Sequence, residues 1–287
     1  MRIANPIFDS VFKYLLEDTV AARVLISNIL DEEIESLVVK PQERTVFSSD
    51  FMLTVFRLDY KAVIKTKTGE RKKVLIELQK GKQPFDIVRF RRYLGENYST
   101  QDVDEDGIKE SLPIITIYFL GFKLNIAKSV LKINREYIDV VNNTIINEKS
   151  DFIELLSHNS YIVQIPFLPT DTQNKLERVL SVFSQKWLKE NPDGSIRFFE
   201  GNPEDEPDLQ ILTNRLSSAA SSKEVLAAIQ AEEDLEADIL MFLRKNERIL
   251  AEKEEIIEAE KKKTDAEIKK NEMLSKEIES LKALLKK

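Results

Sequence analysis

The run from Leu112 to Phe122, Leu-Pro-Ile-Ile-Thr-Ile-Tyr-Phe-Leu-Gly-Phe, is apolar at nearly every position. A strand with one wet face alternates apolar and polar side chains, so this run predicts a central strand buried on both faces. It is the longest apolar candidate in the chain and falls well short of the ~20 residues of a membrane span. The segments before it have their own periods. Asn5-Pro6 predicts a helix start, with Phe8, Val11, Phe12, Leu15 and Leu16 at helical spacing, and a second helix follows over about Val20 to Leu30. Phe51 to Lys65 is β-branched and aromatic, Thr66 to Arg71 holds a turn at Gly69, and Lys73 to Gln79 reads as the return strand of a hairpin. Pro84 to Tyr98 reads as a helix with Ile87, Phe90, Tyr93 and Leu94 on one side. Helix, hairpin, helix, strand is the order of an α/β or α+β core.

Beyond the core, Ser160 to Phe167 predicts a short strand and Lys175 to Lys189 a helix containing Trp187. The 287 residues, 42% apolar, suffice for one full domain core with chain left over. The expected division is a core domain over 1–190, an acidic Pro/Gly loop over 191–208, a helical extension over 209–243 and a charged helix over 244–287. That last stretch has no Gly, Pro or aromatic residue. Leu274, Ile278, Leu281 and Leu285 step by coiled-coil spacing, but the same register puts Asn271, Glu267, Thr264 and Glu260 on the seam upstream. Both a dimerising helix, giving a homodimer through 244–287, and a solvated single helix fit this pattern.

There is no cysteine and one histidine, His158. Disulfide scaffolds, thiolate zinc sites, cysteine nucleophiles and multi-His metal sites are therefore excluded, and any metal is expected on oxygen ligands. Asp9, Lys13, Glu17 and Asp18 interrupt what would be the apolar part of a signal peptide, so a cytoplasmic protein without membrane association is expected. The net charge of −7 hides an asymmetry. Between Arg57 and Arg92 twelve Lys and Arg face four acids, a net of +8. A one-signed island in an acidic chain points to a polyanion partner, or else to a Lys-rich hairpin and a basic helix that never meet.

Within that island Asp59 precedes the hairpin turn by about as many residues as Glu77 follows it. In a simple hairpin the two carboxylates are then near-opposite, with Cβ atoms within ~5 Å. Alternation turns Glu77 and Gln79 to one face and Leu78 to the other. Carboxylates that close repel unless a cation lies between them, and Mg²⁺ takes this kind of oxygen donor.

An Asp on one strand and Glu-x-Gln on the next, behind a leading helix, resembles the PD-(D/E)XK nuclease superfamily, and within it the recombination-promoting nuclease and transposase branch. The resemblance rests on Asn-Pro-Ile-Phe-Asp-Ser-Val-Phe-Lys (5–13), Arg-Leu-Asp-Tyr (57–60), Val-Leu-Ile-Glu-Leu-Gln-Lys (74–80) and Asp-Ile-Val-Arg-Phe-Arg-Arg-Tyr (86–93), over roughly residues 1 to 125. It implies a restriction-endonuclease-like core with a helical C-terminal extension ending in a coiled-coil-like helix. It makes Asp59 and Glu77 the metal ligands, for Mg²⁺ with Mn²⁺ as a substitute, and places Gln79 where most of the superfamily has lysine. Glutamine hydrogen-bonds a water but brings no positive charge. Lys80 is next in sequence, although alternation turns it to the other face unless the strand ends at Gln79. Arg89 or Arg92 on the following helix would then supply the charge. Asp9 matches a position where the superfamily carries an acid near the metal, and it equally suits a helix start. Lys13, Arg57, Lys80, Lys82, Arg89 and Arg92 are the candidate DNA contacts.

The implied activity is metal-dependent endonucleolytic hydrolysis of DNA. The alternative is a catalytically impaired DNA-binding or assembly protein on the same fold, working through its coiled-coil tail. Other motifs do not compete. Asp102-Val-Asp-Glu-Asp-Gly begins like a calcium loop but has Pro113 at the twelfth position, so it reads as an acidic surface turn. His158 has no nucleophile elbow near it and reads as structural. No Gly-x-x-x-x-Gly-Lys loop predicts a nucleotide cofactor.

Overall fold

The computed structural model describes residues 1–40, 43–47, 53–57, 60–81, 86–103, 107–187, 195–198 and 206–284. The elements are, in order, β1 (Arg2–Ala4), α1 (Asp9–Glu17), α2 (Thr19–Leu30), β2 (Ile34–Val39), β3 (Glu43–Phe47), β4 (Leu53–Arg57), β5 (Tyr60–Thr66), β6 (Arg71–Gln79) and α3 (Asp86–Ser99). Then come β7 (Asp102–Val103), β8 (Lys109–Glu110), β9 (Ile114–Leu120), β10 (Val130–Ile133), β11 (Tyr137–Asp139), β12 (Thr144–Ile146), α4 (Asp151–Leu156) and β13 (Asn159–Gln164). The last are α5 (Lys175–Leu180), β14 (Ile196–Phe198), α6 (Pro207–Ala219) and α7 (Lys223–Leu284).

The central sheet is mixed, in the order β10-β13-β9-β6-β5-β2. β2, β5 and β6 form an antiparallel meander. The chain then crosses through α3 so that β9 lies parallel to β6, and β13 parallel to β9. The apolar run around residue 116 becomes β9, inside the sheet and buried at every position but Tyr118. It is covered on both sides, as its composition requires. Ile115, Ile117 and Phe119 face a large core together with Val74, Ile76 and Leu78 of β6 and with Phe12, Leu15, Leu16, Leu25 and Ile26 of α1 and α2. Leu75 and Ile114 face the other way, into a smaller cluster with Phe90 and Tyr93 of α3. Phe12 meets Phe119 edge-on at 5.3 Å between ring centroids.

Local chemistry sets the helix ends. Asp18 caps α2 by accepting from the Val20 and Ala21 N–H groups, and Asp31 ends it in the left-handed region at φ 56°. The Asn5-Pro6 start is corrected: Pro6 lies in a turn after β1, and the helix begins at Asp9. The 51–65 strand is also corrected, being two strands, β4 paired with β3 and β5 in the central sheet. The predicted 175–189 helix stops at Leu180 and continues as two 3₁₀ turns. Within the expected 191–208 loop, β14 pairs with β1, and Arg197 is buried with its guanidinium on the Val182 and Ser184 carbonyls.

The chain divides into two compact units, Met1–Glu232 and Glu233–Lys287. Leu209, Leu212, Leu216, Val225 and Ile229 belong to the large core, so α6 and the first turns of α7 complete the first unit. The second unit consists of the rest of α7, helical to Leu284. No helix among the described residues is long and apolar enough to cross a membrane.

Candidate active site

β6 carries the site. Its pairing with β5 on one side and β9 on the other fixes the backbone, and the two-residue period decides which side chains meet α3. Glu77, opposite Tyr118 in the β6–β9 register, is 0% exposed. Its Oε1 accepts a hydrogen bond from Nη2 of Arg89 at 2.8 Å, across from α3. Tyr118 packs on Phe90 at 4.5 Å between centroids. Burial pushes its phenol pKa up, with a hydrogen bond to the Thr116 side chain opposing and the negative charge of Glu77 adding. Alternation turns Gln79 to the same side, at the strand end, where its carbonyl accepts from the Gly121 N–H at 2.8 Å. Asp59 and Lys82 lie outside the described residues. β5 begins at Tyr60, which stands opposite Ile76.

Lys80 leaves the strand on the other side. Its ammonium sits over the Phe8 ring at 4.1 Å, at the start of α1. A second polar group gathers there. Asp9 forms an ion pair with Lys13 one turn on, so the carboxylate expected to assist the metal is engaged within α1. Glu232 accepts from the Asp9 N–H at 3.0 Å and the Ser10 N–H at 3.3 Å, and the Ser10 hydroxyl lies 3.4 Å away. It caps a helix whose own cap residue, Phe8, makes no side-chain cap bond. Burial raises the Glu232 pKa, against the Asp9 and Ser10 N–H groups and the charge of Lys80. The structure thus divides the predicted residues between Glu77, Gln79 and Arg89 on the α3 side and Asp9, Lys13 and Lys80 on the α1 side.

The basic stretch is compensated along most of the hairpin. Lys65 pairs with Glu35, Lys67 with Glu33, Arg71 with Glu110, and Lys72 with Glu32 and Glu70. Lys73, 1% exposed, pairs with Asp102 at 2.7 Å, and Lys61 stands 3.9 Å from the same carboxylate. Asp102 is therefore not the surface-turn residue expected but a buried counter-ion. Arg91 and Arg92 are exposed on α3. Arg57 ends β4, where it pairs with Glu43 in the strand register. His158 shares one hydrogen bond with the Tyr98 hydroxyl, at 2.8 Å from its Nδ1.

Glu77 offers a hard carboxylate oxygen in a nearly water-free setting, the donor chemistry that Mg²⁺ takes. Among the described residues no group of three or more His, Cys, Asp or Glu converges on one point. Glu232 was missed because it lies 223 residues from Asp9, in a tail whose many glutamates give no signal singling it out. No family model, curated protein or solved structure matches this chain.

Proposed function

We propose that the chain is a metal-dependent nuclease hydrolysing DNA phosphodiester bonds, on the PD-(D/E)XK core of the recombination-promoting branch. The observation that carries this reading is the fully buried Glu77 on the strand between β5 and β9, facing a helix that brings an arginine to it. A buried carboxylate is costly to maintain and is common where it does chemistry. The order of leading helices, antiparallel hairpin, crossover helix and parallel strand supports the same reading. In sequence, Asp59 precedes Tyr60 and Glu77 follows Ile76, and Tyr60 and Ile76 are partners in the β5–β6 register.

In this reading Asp59 and Glu77 hold Mg²⁺, which supplies an acidified water and positive charge for the phosphate oxygens. Gln79 orients water by hydrogen bonding. The cation that lysine would bring comes from Arg89, with the exposed Arg91 and Arg92 on the same helix as phosphate contacts. Lys80 is committed to Phe8 on the α1 side and contributes there instead.

The test is cleavage of supercoiled plasmid with Mg²⁺, Mn²⁺, Ca²⁺ or EDTA, comparing the wild type with Asp59→Ala and Glu77→Ala. Nicking that requires Mg²⁺ or Mn²⁺ and is lost in both variants is expected. Cleavage that survives both substitutions defeats the assignment. The Glu77–Arg89 pair also favours a second reading, because Glu77 already has a counter-charge within the chain. A nuclease-fold DNA-binding or assembly protein would bind DNA equally well in EDTA and leave the plasmid intact.

A further inference from the structure

A carboxylate without solvent exposure needs a cation against it. Glu77 and Arg89 meet that need with unequal partners. Glu77 is held on a nine-residue strand paired on both sides. Arg89 is 44% exposed on α3 and follows the exposed Ile87 and Val88. Its guanidinium ends a long side chain, so a rotamer change carries it several ångströms without moving the helix. The carboxylate is fixed and the cation is movable.

We propose that Arg89 is a displaceable counter-ion, which neutralises Glu77 in the cation-free protein, yields the carboxylate to a divalent cation, and then turns to a phosphate oxygen. This rests on the reading of Glu77 as a metal ligand. A guanidinium and a divalent cation repel each other at one carboxylate, most strongly where water is scarce. Arg89 therefore weakens cation binding in the empty protein. Once displaced, its planar fork suits phosphate. Cation loading and phosphate capture become coupled through one side chain, and the buried carboxylate is never left without a counter-charge.

Mn²⁺ binding to the full chain, followed by electron paramagnetic resonance, tests this directly. Arg89→Gln is expected to bind Mn²⁺ at least tenfold more tightly than the wild type, and Arg89→Lys, which keeps the charge, within about threefold. Glu77→Gln is expected to lose the site. If the wild type binds, Glu77→Gln does not, and Arg89→Gln binds no more tightly than the wild type, the displacement is wrong while the metal site stands. Absence of Mn²⁺ binding by the wild type, or binding indifferent to Glu77→Gln, removes the metal site and the displacement together. A second measurement uses inorganic phosphate on the wild type alone, independent of how any variant folds. Tighter phosphate binding with Mn²⁺ than with EDTA is expected, and equal affinity overturns the coupling.

Discussion

Gly121 approaches Lys80 so closely that a β-carbon on it would stand 2.3 Å from the Lys80 carbonyl oxygen and 3.0 Å from the carbonyl carbon. The Gly121 N–H meanwhile donates to the Gln79 carbonyl at 2.8 Å, so the ends of β6 and β9 are tied together at the site. The clash is with backbone, and no side-chain rotation relieves it. Gly121→Ala should therefore push the Gln79–Lys80 end of β6 away from β9 and cost about 2 kcal/mol, in the range of core overpacking. Urea unfolding of the wild type and variant measures this. An unchanged midpoint would show that the two strand ends are not held as described.

Lys73 and Asp102 illustrate what a sequence conceals. A lysine beside Arg71 and Lys72 in a strand reads as surface, yet it is 1% exposed and paired at 2.7 Å. Removing one partner leaves a buried charge alone. Lys73→Met and Asp102→Leu are each expected to destabilise by about 3–5 kcal/mol. The double variant, which leaves no unpaired charge, is expected to recover most of that loss. A double-mutant cycle by denaturant titration decides it, and additive losses would contradict the pair.

Glu232 gives a pH signature with a definite sign. Its carboxyl is raised above the usual 4.5, first by burial, so the folded state takes up a proton more readily than the unfolded chain. The stability that this proton contributes is present at low pH and is lost as pH rises through the folded-state value. Relative to Glu232→Gln, the wild type should gain stability as pH falls from neutrality toward 4.5. Urea midpoints of both proteins across that range test the sign. A difference that is flat with pH, or grows in the opposite direction, would rule it out.

Periodic segments were the legible ones. α2 at 19–30 and β9 at 114–120 lie close to their sequence expectations, because a helical stripe and an unbroken apolar run are local signals. β1 and β14 pair across almost 200 residues with three residues each, too few to show a period. The hairpin was legible as Lys73 to Gln79 returning on a Phe51–Lys65 strand, but the division of that stretch into β4, paired with β3, and β5, paired with β6, was not, since β-branched residues run through both. At the site, Glu77 stood out as a carboxylate inside an apolar strand. Which helix arginine reached it depended on the rotation of α3, which sequence spacing alone does not fix. Charge counting misled most: the positive stretch is real, but Glu32 and Glu33 after α2, Glu35 of β2, Asp102 and Glu110 supply acids that meet its hairpin.

The tail makes a quantitative demand on any self-association. Leu274 and Ile278 are 46% and 51% exposed on α7, and with Leu281 and Leu285 they continue one seam by sequence. Upstream the same register carries Asn271, Glu267, Thr264 and Glu260, so apolar contact extends over only about two heptads. So short a seam cannot offset the freedom lost when two chains associate at low concentration. The full chain should therefore sediment at its 33.2 kDa monomer mass at low micromolar concentration and shift toward twice that mass only as concentration rises. Leu274→Asp with Ile278→Asp should abolish the shift, because both substitutions place charge on the seam. Analytical ultracentrifugation over a hundredfold concentration range distinguishes the outcomes. A tight dimer unaffected by the double substitution would mean that the chains associate through some other surface.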